Sequence, residues 1–227
     1  MAEFDPNAFT PFRGFLHMLV SRALIRPFFL VYKRVRITGR ENVPRQGPLL
    51  VVSNHLSELD PPLIQAALDR PVAFLAKEEL FRVPGLRAFI KFAGAISLNR
   101  AHPGLGTFKE AKAVLKSGWA LSVFIEGTRN RTPGSLRRPH LGPAYIAGLA
   151  DVPILPVGIV GTDKPWGRAE VRIGPVLQPQ SDINDTTWMI MERLSELTGF
   201  ALPELQLADR RRKGRRRLAR RRLRPAK

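Results

Sequence analysis

Between residues 48 and 173 short apolar runs alternate with segments of helical periodicity, and that alternation restricts the chain to an α/β architecture. Strands are expected over 49–53, 72–76, 95–98, 121–125, 154–159 and 171–173. Several are apolar on consecutive positions, as in Leu49-Leu50-Val51-Val52. A strand covered on both faces has that pattern, whereas a strand with one wet face alternates. Helices are expected over 61–68, 86–92, 105–116, 143–149 and 186–197. Lys116-Ser117-Gly118 supplies a helix stop, a cation in the last turn followed by glycine. The predicted fold is a single α/β domain over 35–200, with a mixed, largely parallel central sheet flanked by helices. A chain of 227 residues suffices for one such core and not for two.

Two segments lie outside this pattern. Residues 1–34 read as an N-terminal amphipathic, membrane-associating segment: the stretch 12–32 is rich in Phe, Leu, Ile and Val, but Arg13, Arg22 and Arg26 interrupt it and Pro27 is expected to break a helix. A span needs about 20 nearly uncharged residues, and no small-residue cleavage site marks a removable leader. The stretch suits a bilayer interface, or else a helix packed on the domain's own core with its arginines in water. Residues 201–227 form a basic tail. Twelve of the 37 Lys and Arg residues, against one of the 19 Asp and Glu, lie within 209–227, so most of the +18 net charge is concentrated there. Such a run is expected to be disordered in solution or a fraying helix, and its partners are polyanions: an anionic membrane surface or nucleic acid. A nucleic-acid-binding protein would interleave aromatic residues or a recognition helix with the cations, and the tail offers only Leu218 and Leu223, so no specific nucleic acid is expected.

The absence of cysteine excludes a disulfide framework, a thiolate zinc site and a Cys nucleophile. Gly104 and Gly106 lack the third glycine and the preceding Rossmann unit that a dinucleotide-binding loop requires. Chemistry concentrates instead at strand exits. Asn54-His55-Leu56-Ser57-Glu58-Leu59-Asp60 follows the apolar run 49–53 and precedes Pro61-Pro62, where a helix can begin. An Asp five residues after a His can fold back so that its carboxylate holds one ring nitrogen protonated and leaves the other to accept a proton from an attacking hydroxyl. Phe124-Ile125-Glu126-Gly127-Thr128-Arg129-Asn130-Arg131 ends another strand and has the composition of an anion site, with two arginines able to give paired donors to a phosphate. Ser97-Leu98-Asn99-Arg100 ends a third strand in a cation, and Val152-Pro153-Ile154-Leu155-Pro156-Val157 forms a fourth block.

These four blocks, in this order over residues 35–175, resemble those of the glycerolipid acyltransferase family, which includes the 1-acylglycerol-3-phosphate (lysophosphatidic acid) acyltransferases. The resemblance implies transfer of a fatty acyl group from a thioester, acyl-CoA or acyl-ACP, to the free hydroxyl of lysophosphatidic acid, giving phosphatidic acid. It implies His55 as the base and Asp60 as its orienting partner. Arg100, Glu126, Gly127, Thr128 and Arg129 would bind the glycerol-phosphate part of the acceptor, and Lys77 would assist the developing oxyanion or the phosphate. No metal or bound cofactor is implied, and the site of action would be the cell membrane, peripheral or monotopic on its cytoplasmic face. Two departures stand out. Ile125 occupies the usual proline position of the third block, and Pro139-His140-Leu141-Gly142-Pro143 stands where a Phe-Lys-Gly is usual. The missing lysine leaves room for Arg137, Arg138 or His140 to replace it, or for another lysolipid, glycerol-3-phosphate or a glycolipid as acceptor.

Overall fold

A computed structural model describes residues 9–83, 85, 87, 90, 91, 94–98, 105–165 and 167–203. Arg100, most of the helix expected over 86–92 and residues 204–227 of the basic tail lie outside these residues. The chain opens with α1 (Pro11–Val20), a π turn (Ser21–Ile25) and α2 (Arg26–Tyr32), followed by β1 (Arg36–Thr38), β2 (Leu49–Ser53), α3 (Asp60–Leu68), β3 (Val72–Lys77) and β4 (Ala95–Leu98). It continues through α4 (Leu105–Lys116), β5 (Ala120–Phe124), α5 (Gly142–Ala150), β6 (Ile154–Val160), β7 (Glu170–Ile173) and α6 (Ile183–Thr198).

The seven strands form one sheet in the order β1-β7-β6-β2-β5-β3-β4. Every neighbouring pair is parallel except β6–β7. The sheet is thus mixed and largely parallel, and β2 lies at its centre with every residue buried. Period-two side-chain alternation divides β2 between two cores. Leu50 and Val52 face one cluster with Leu121, Ile146, Ile154 and Met191, while Leu49 and Val51 face another with Phe29, Leu63, Ile64 and Leu155. Consecutive apolar residues in the sequence therefore reflect helices on both faces. The helix α6 is bounded by its own chemistry, Asp182 accepting from the amides of Asn184 and Asp185 and Gly199 closing the other end at φ +75°.

Pro27 does not break the N-terminal helix. The turn Ser21–Ile25 widens so that the Arg26 amide donates to the Ser21 carbonyl five residues back. A π turn of this kind relieves the clash a proline ring makes with the preceding turn, so the helix runs through. The run Pro11–Tyr32 is 22 residues and contains an 18-residue window of mean hydropathy 1.4, long and apolar enough to cross a membrane by length and composition. Its first half is inverted relative to an ordinary amphipathic helix, while Phe29 further on enters the core. Gly14, His17 and Ser21 face the domain, Arg22 pairs with Asp69 at 2.9 Å, and Phe12, Phe15 and Val31 are 77%, 66% and 81% exposed.

Candidate active site

The parallel strands β6, β2 and β5 are neighbours, and their carboxyl ends deliver the polar residues of one site. Beyond β2 the chain turns through Asn54 to Asp60. Asn54 is fully buried, accepting from the Ile159 amide and donating to the Ile159 carbonyl at 2.8 Å each, which ties the exit of β2 to β6 as a backbone pair would. Asp60 opens α3 and has no exposed surface. Its Oδ2 accepts from His55 Nδ1 at 2.8 Å, the Leu56 amide at 2.6 Å and the Ser57 amide at 2.7 Å. Oδ1 accepts from the Thr162 hydroxyl at 2.6 Å. Four donors thus converge on this one carboxylate at the amino end of α3.

The His55 imidazole stacks on Phe124, with ring centroids 3.9 Å apart and planes inclined by 15°. With Nδ1 engaged by Asp60, Nε2 is the nitrogen left for a substrate. The loop after β5 grips the same backbone: the Ile125 amide donates to Ser53, the Asn130 amide donates to the His55 carbonyl at 2.6 Å, and Glu126 Oε1 accepts from the His55 amide at 3.4 Å. Glu126 Oε2 accepts from the Arg137 amide at 3.1 Å. The Glu126 side chain is 2% exposed, and burial pushes its carboxyl up from the ordinary 4.5 to about 7, against the pull of the two amides. Gly127 adopts φ +65°, and a Cβ there would come within 2.6 Å of the His140 ring.

The other candidates lie around this frame. Thr128 and Arg129 are exposed, and Arg129 pairs with Glu58 at 2.9 Å. Lys77 ends β3, the strand beside β5, and is also exposed. A cavity of about 980 Å³ borders Glu126 and Thr128 and takes in Arg137, Arg138, His140 and Leu141. The structure brings together His55, Asp60, Glu126 and the 127–129 loop; Arg100 falls outside the described residues. Thr162 was not anticipated. Its signal is faint, a hydroxyl two residues beyond the end of β6, and it becomes legible only when β6 is known to lie beside β2.

Fold and site together define a single-domain α/β protein that assembles its polar chemistry where three adjacent parallel strands end. The chain belongs to the Acyltransferase family, whose sequence model matches residues 34–160. It is 30% identical over 151 residues to the 1-acyl-sn-glycerol-3-phosphate acyltransferase of Borreliella burgdorferi, covering 65% of this chain and 60% of that protein. It is 28% identical over 159 residues to the chloroplastic 1-acyl-sn-glycerol-3-phosphate acyltransferase of Arabidopsis thaliana, covering 69% of this chain and 44% of that one. The chain thus spans only part of the length of these curated relatives. The crystal structure of the 1-acyl-sn-glycerophosphate acyltransferase of Thermotoga maritima superposes with a TM-score of 0.69 at 29% identity, covering 81% of this chain and 78% of the other.

Proposed function

We propose that the chain transfers a fatty acyl group from an acyl thioester to the free hydroxyl of lysophosphatidic acid, with His55 as general base. The observation that carries this reading is the 2.8 Å bond between His55 Nδ1 and a fully buried, four-fold hydrogen-bonded Asp60. His55 Nε2 takes the hydroxyl proton as the acceptor oxygen attacks the thioester carbonyl. The tetrahedral intermediate collapses, an ester C–O bond replaces the C–S bond, and the imidazolium returns the proton to the departing thiolate. Asp60 holds the ring in place throughout. The thioester is already activated, so acyl-CoA or acyl-ACP enters as co-substrate and the scheme calls for no metal or bound cofactor.

Acceptor contacts fall to the exposed Thr128, Arg129 and Lys77 and, by the family resemblance, to Arg100. Arg129, Thr128, Arg100 and Lys77 bind the phosphate and glycerol oxygens, while Glu126 and Gly127 shape the loop that presents them. The names of the relatives favour the lysophosphatidic acid acceptor. The cavity beside Thr128, with Arg137 and Arg138 on its wall, favours a second reading in which a lysophospholipid with a larger anionic head group is accepted. Catalysis belongs to residues 35–200. The outward apolar face of 11–32 and the basic run 209–227 supply the two signals that stable attachment to an anionic membrane needs, on the cytoplasmic face.

The test is thiol release from palmitoyl-CoA offered with lysophosphatidic acid or lysophosphatidylglycerol in anionic vesicles, comparing the parent protein with His55→Ala. Acceptor-dependent release abolished by the substitution supports the scheme. Equal release from both proteins removes His55 from it, and a preference for lysophosphatidylglycerol selects the second reading.

A further inference from the structure

We propose that Thr162 is a positioning residue for the His55–Asp60 pair, fixing the plane of the Asp60 carboxylate from a neighbouring strand; the inference rests on the reading of His55 as the base. The donors to Asp60 Oδ2 are His55, Leu56 and Ser57, all within five residues of Asp60 along the chain. They belong to one loop and move with it. Rotation about an aspartate's terminal torsion is soft, because an sp³–sp² bond has no sharp rotameric wells. Contacts gathered on one oxygen leave that rotation weakly opposed. Thr162 approaches the other oxygen at 2.6 Å from 102 residues away, out of the turn that follows β6, and is itself 3% exposed. It is the donor that Oδ1 receives among the described residues.

The turn bearing Thr162 is held independently of the catalytic loop. Gly161 precedes it at φ +79°, where a Cβ would collide with the Arg168 carbonyl oxygen. Lys33, 1% exposed at the end of the N-terminal helix, donates its ammonium to the carbonyls of Lys164 and Pro165. Tyr32 Oη donates to the Pro165 carbonyl at 3.1 Å, and the Ala169 amide donates back to the Lys33 carbonyl at 3.1 Å. These bonds clamp the β6–β7 turn, and the clamped turn presents its hydroxyl to Asp60. With Asn54 joined to Ile159, the exit of β6 grips the His55 segment at both of its ends. The carboxylate plane, and through Nδ1 the imidazole it holds, is thereby set by the sheet rather than by the loop alone.

The experiment compares Thr162→Val and Thr162→Ala with Thr162→Ser and His55→Ala in the full chain, by thiol release from palmitoyl-CoA with lysophosphatidic acid in vesicles, normalised to the folded fraction from circular dichroism. Loss of the hydroxyl should lower kcat on the order of tenfold or more, as a displaced base does. KM for both substrates should stay within about twofold, and serine should restore kcat to within about threefold; loss of folded protein also lowers apparent kcat at unchanged KM, and the normalisation to the folded fraction removes that contribution. A Val or Ala variant within about twofold of the parent in kcat, while His55→Ala is inactive, overturns the proposal and leaves the base intact. Retained activity in His55→Ala overturns the base assignment instead. A substrate-free readout then decides the Thr162 contact alone: in ¹⁵N-histidine spectra the His55 Nδ1–H resonance, identified by its loss in His55→Ala, should be present in Thr162→Ser and lost to exchange in Thr162→Val. An unchanged resonance in Thr162→Val overturns the positioning role.

Discussion

The guanidinium of Arg129 meets the carboxylate of Glu58 at 2.9 Å, joining the loop after β5 to the segment between His55 and Asp60. Both partners are exposed, and exposed pairs of this kind contribute about 0.2–1 kcal/mol. An anionic acceptor that uses Arg129 must displace Glu58. Replacing Glu58 by Gln should therefore lower the acceptor KM by about 1.5- to 5-fold with kcat unchanged, the effect shrinking in high salt. Initial rates against lysophosphatidic acid concentration measure this. An unaltered KM would remove Arg129 from the acceptor contacts.

Glu126 makes stability depend on pH. Its carboxyl is raised from 4.5 to about 7 in the native state, so between those values it is protonated when folded and ionised when unfolded. Unfolding releases a proton in that window, and rising pH favours unfolding. The native protein should lose about 3 kcal/mol of stability from this group between pH 4.5 and 7, and the dependence should level off above. Urea titrations at pH 5, 6, 7 and 8 check it. Glu126→Gln should flatten the slope, whatever its effect on the absolute stability.

Gly127→Ala should destabilise the loop twice over. A side chain in the left-handed region costs about 1–2 kcal/mol, and the new Cβ also meets the His140 ring at 2.6 Å. Pairing it with His140→Ala removes the second cost and leaves the first. A double-mutant cycle by chemical denaturation should show the coupling; additive losses would mean that the ring moves aside freely.

Phe12, Phe15 and Val31 point away from the domain, so changing them to Ser should leave the melting temperature in place. Burying each such side chain in lipid contributes about 1.5–3 kcal/mol, and the triple variant should lose at least about tenfold in vesicle partitioning. Co-sedimentation with anionic vesicles measures it. Undiminished binding would transfer the anchoring role to residues 209–227.

Much of the fold was legible from local pattern because buried parallel strands leave uninterrupted apolar runs: the strands expected over 49–53 and 95–98 coincide with β2 and β4. β1 escaped notice because Arg36, Ile37 and Thr38 form a short edge strand without a buried run. Pro27 misled for the opposite reason, a sound local rule overridden by widening the preceding turn. The spacing of His55 and Asp60 foreshadowed their contact, since five residues suffice to fold one onto the other. Glu126 was named through the family resemblance, but its amide partners on His55 and Arg137 follow from strand adjacency and loop closure, which no local window contains. Thr162 was invisible on the same ground.

The π turn at Ser21–Ile25 also keeps an apolar seam in phase. Phe12, Leu16, Leu19, Leu24, Phe28 and Val31 are all exposed, and their spacing runs four, three, five, four, three. The step of five crosses the widened turn, where five residues complete about one revolution. Were the same residues wound as an unbroken α-helix, everything after the turn would be rotated by about 100° relative to what precedes. The seam would then split into two stripes facing different directions, and a helix of unchanged composition would no longer present one continuous surface to a flat bilayer.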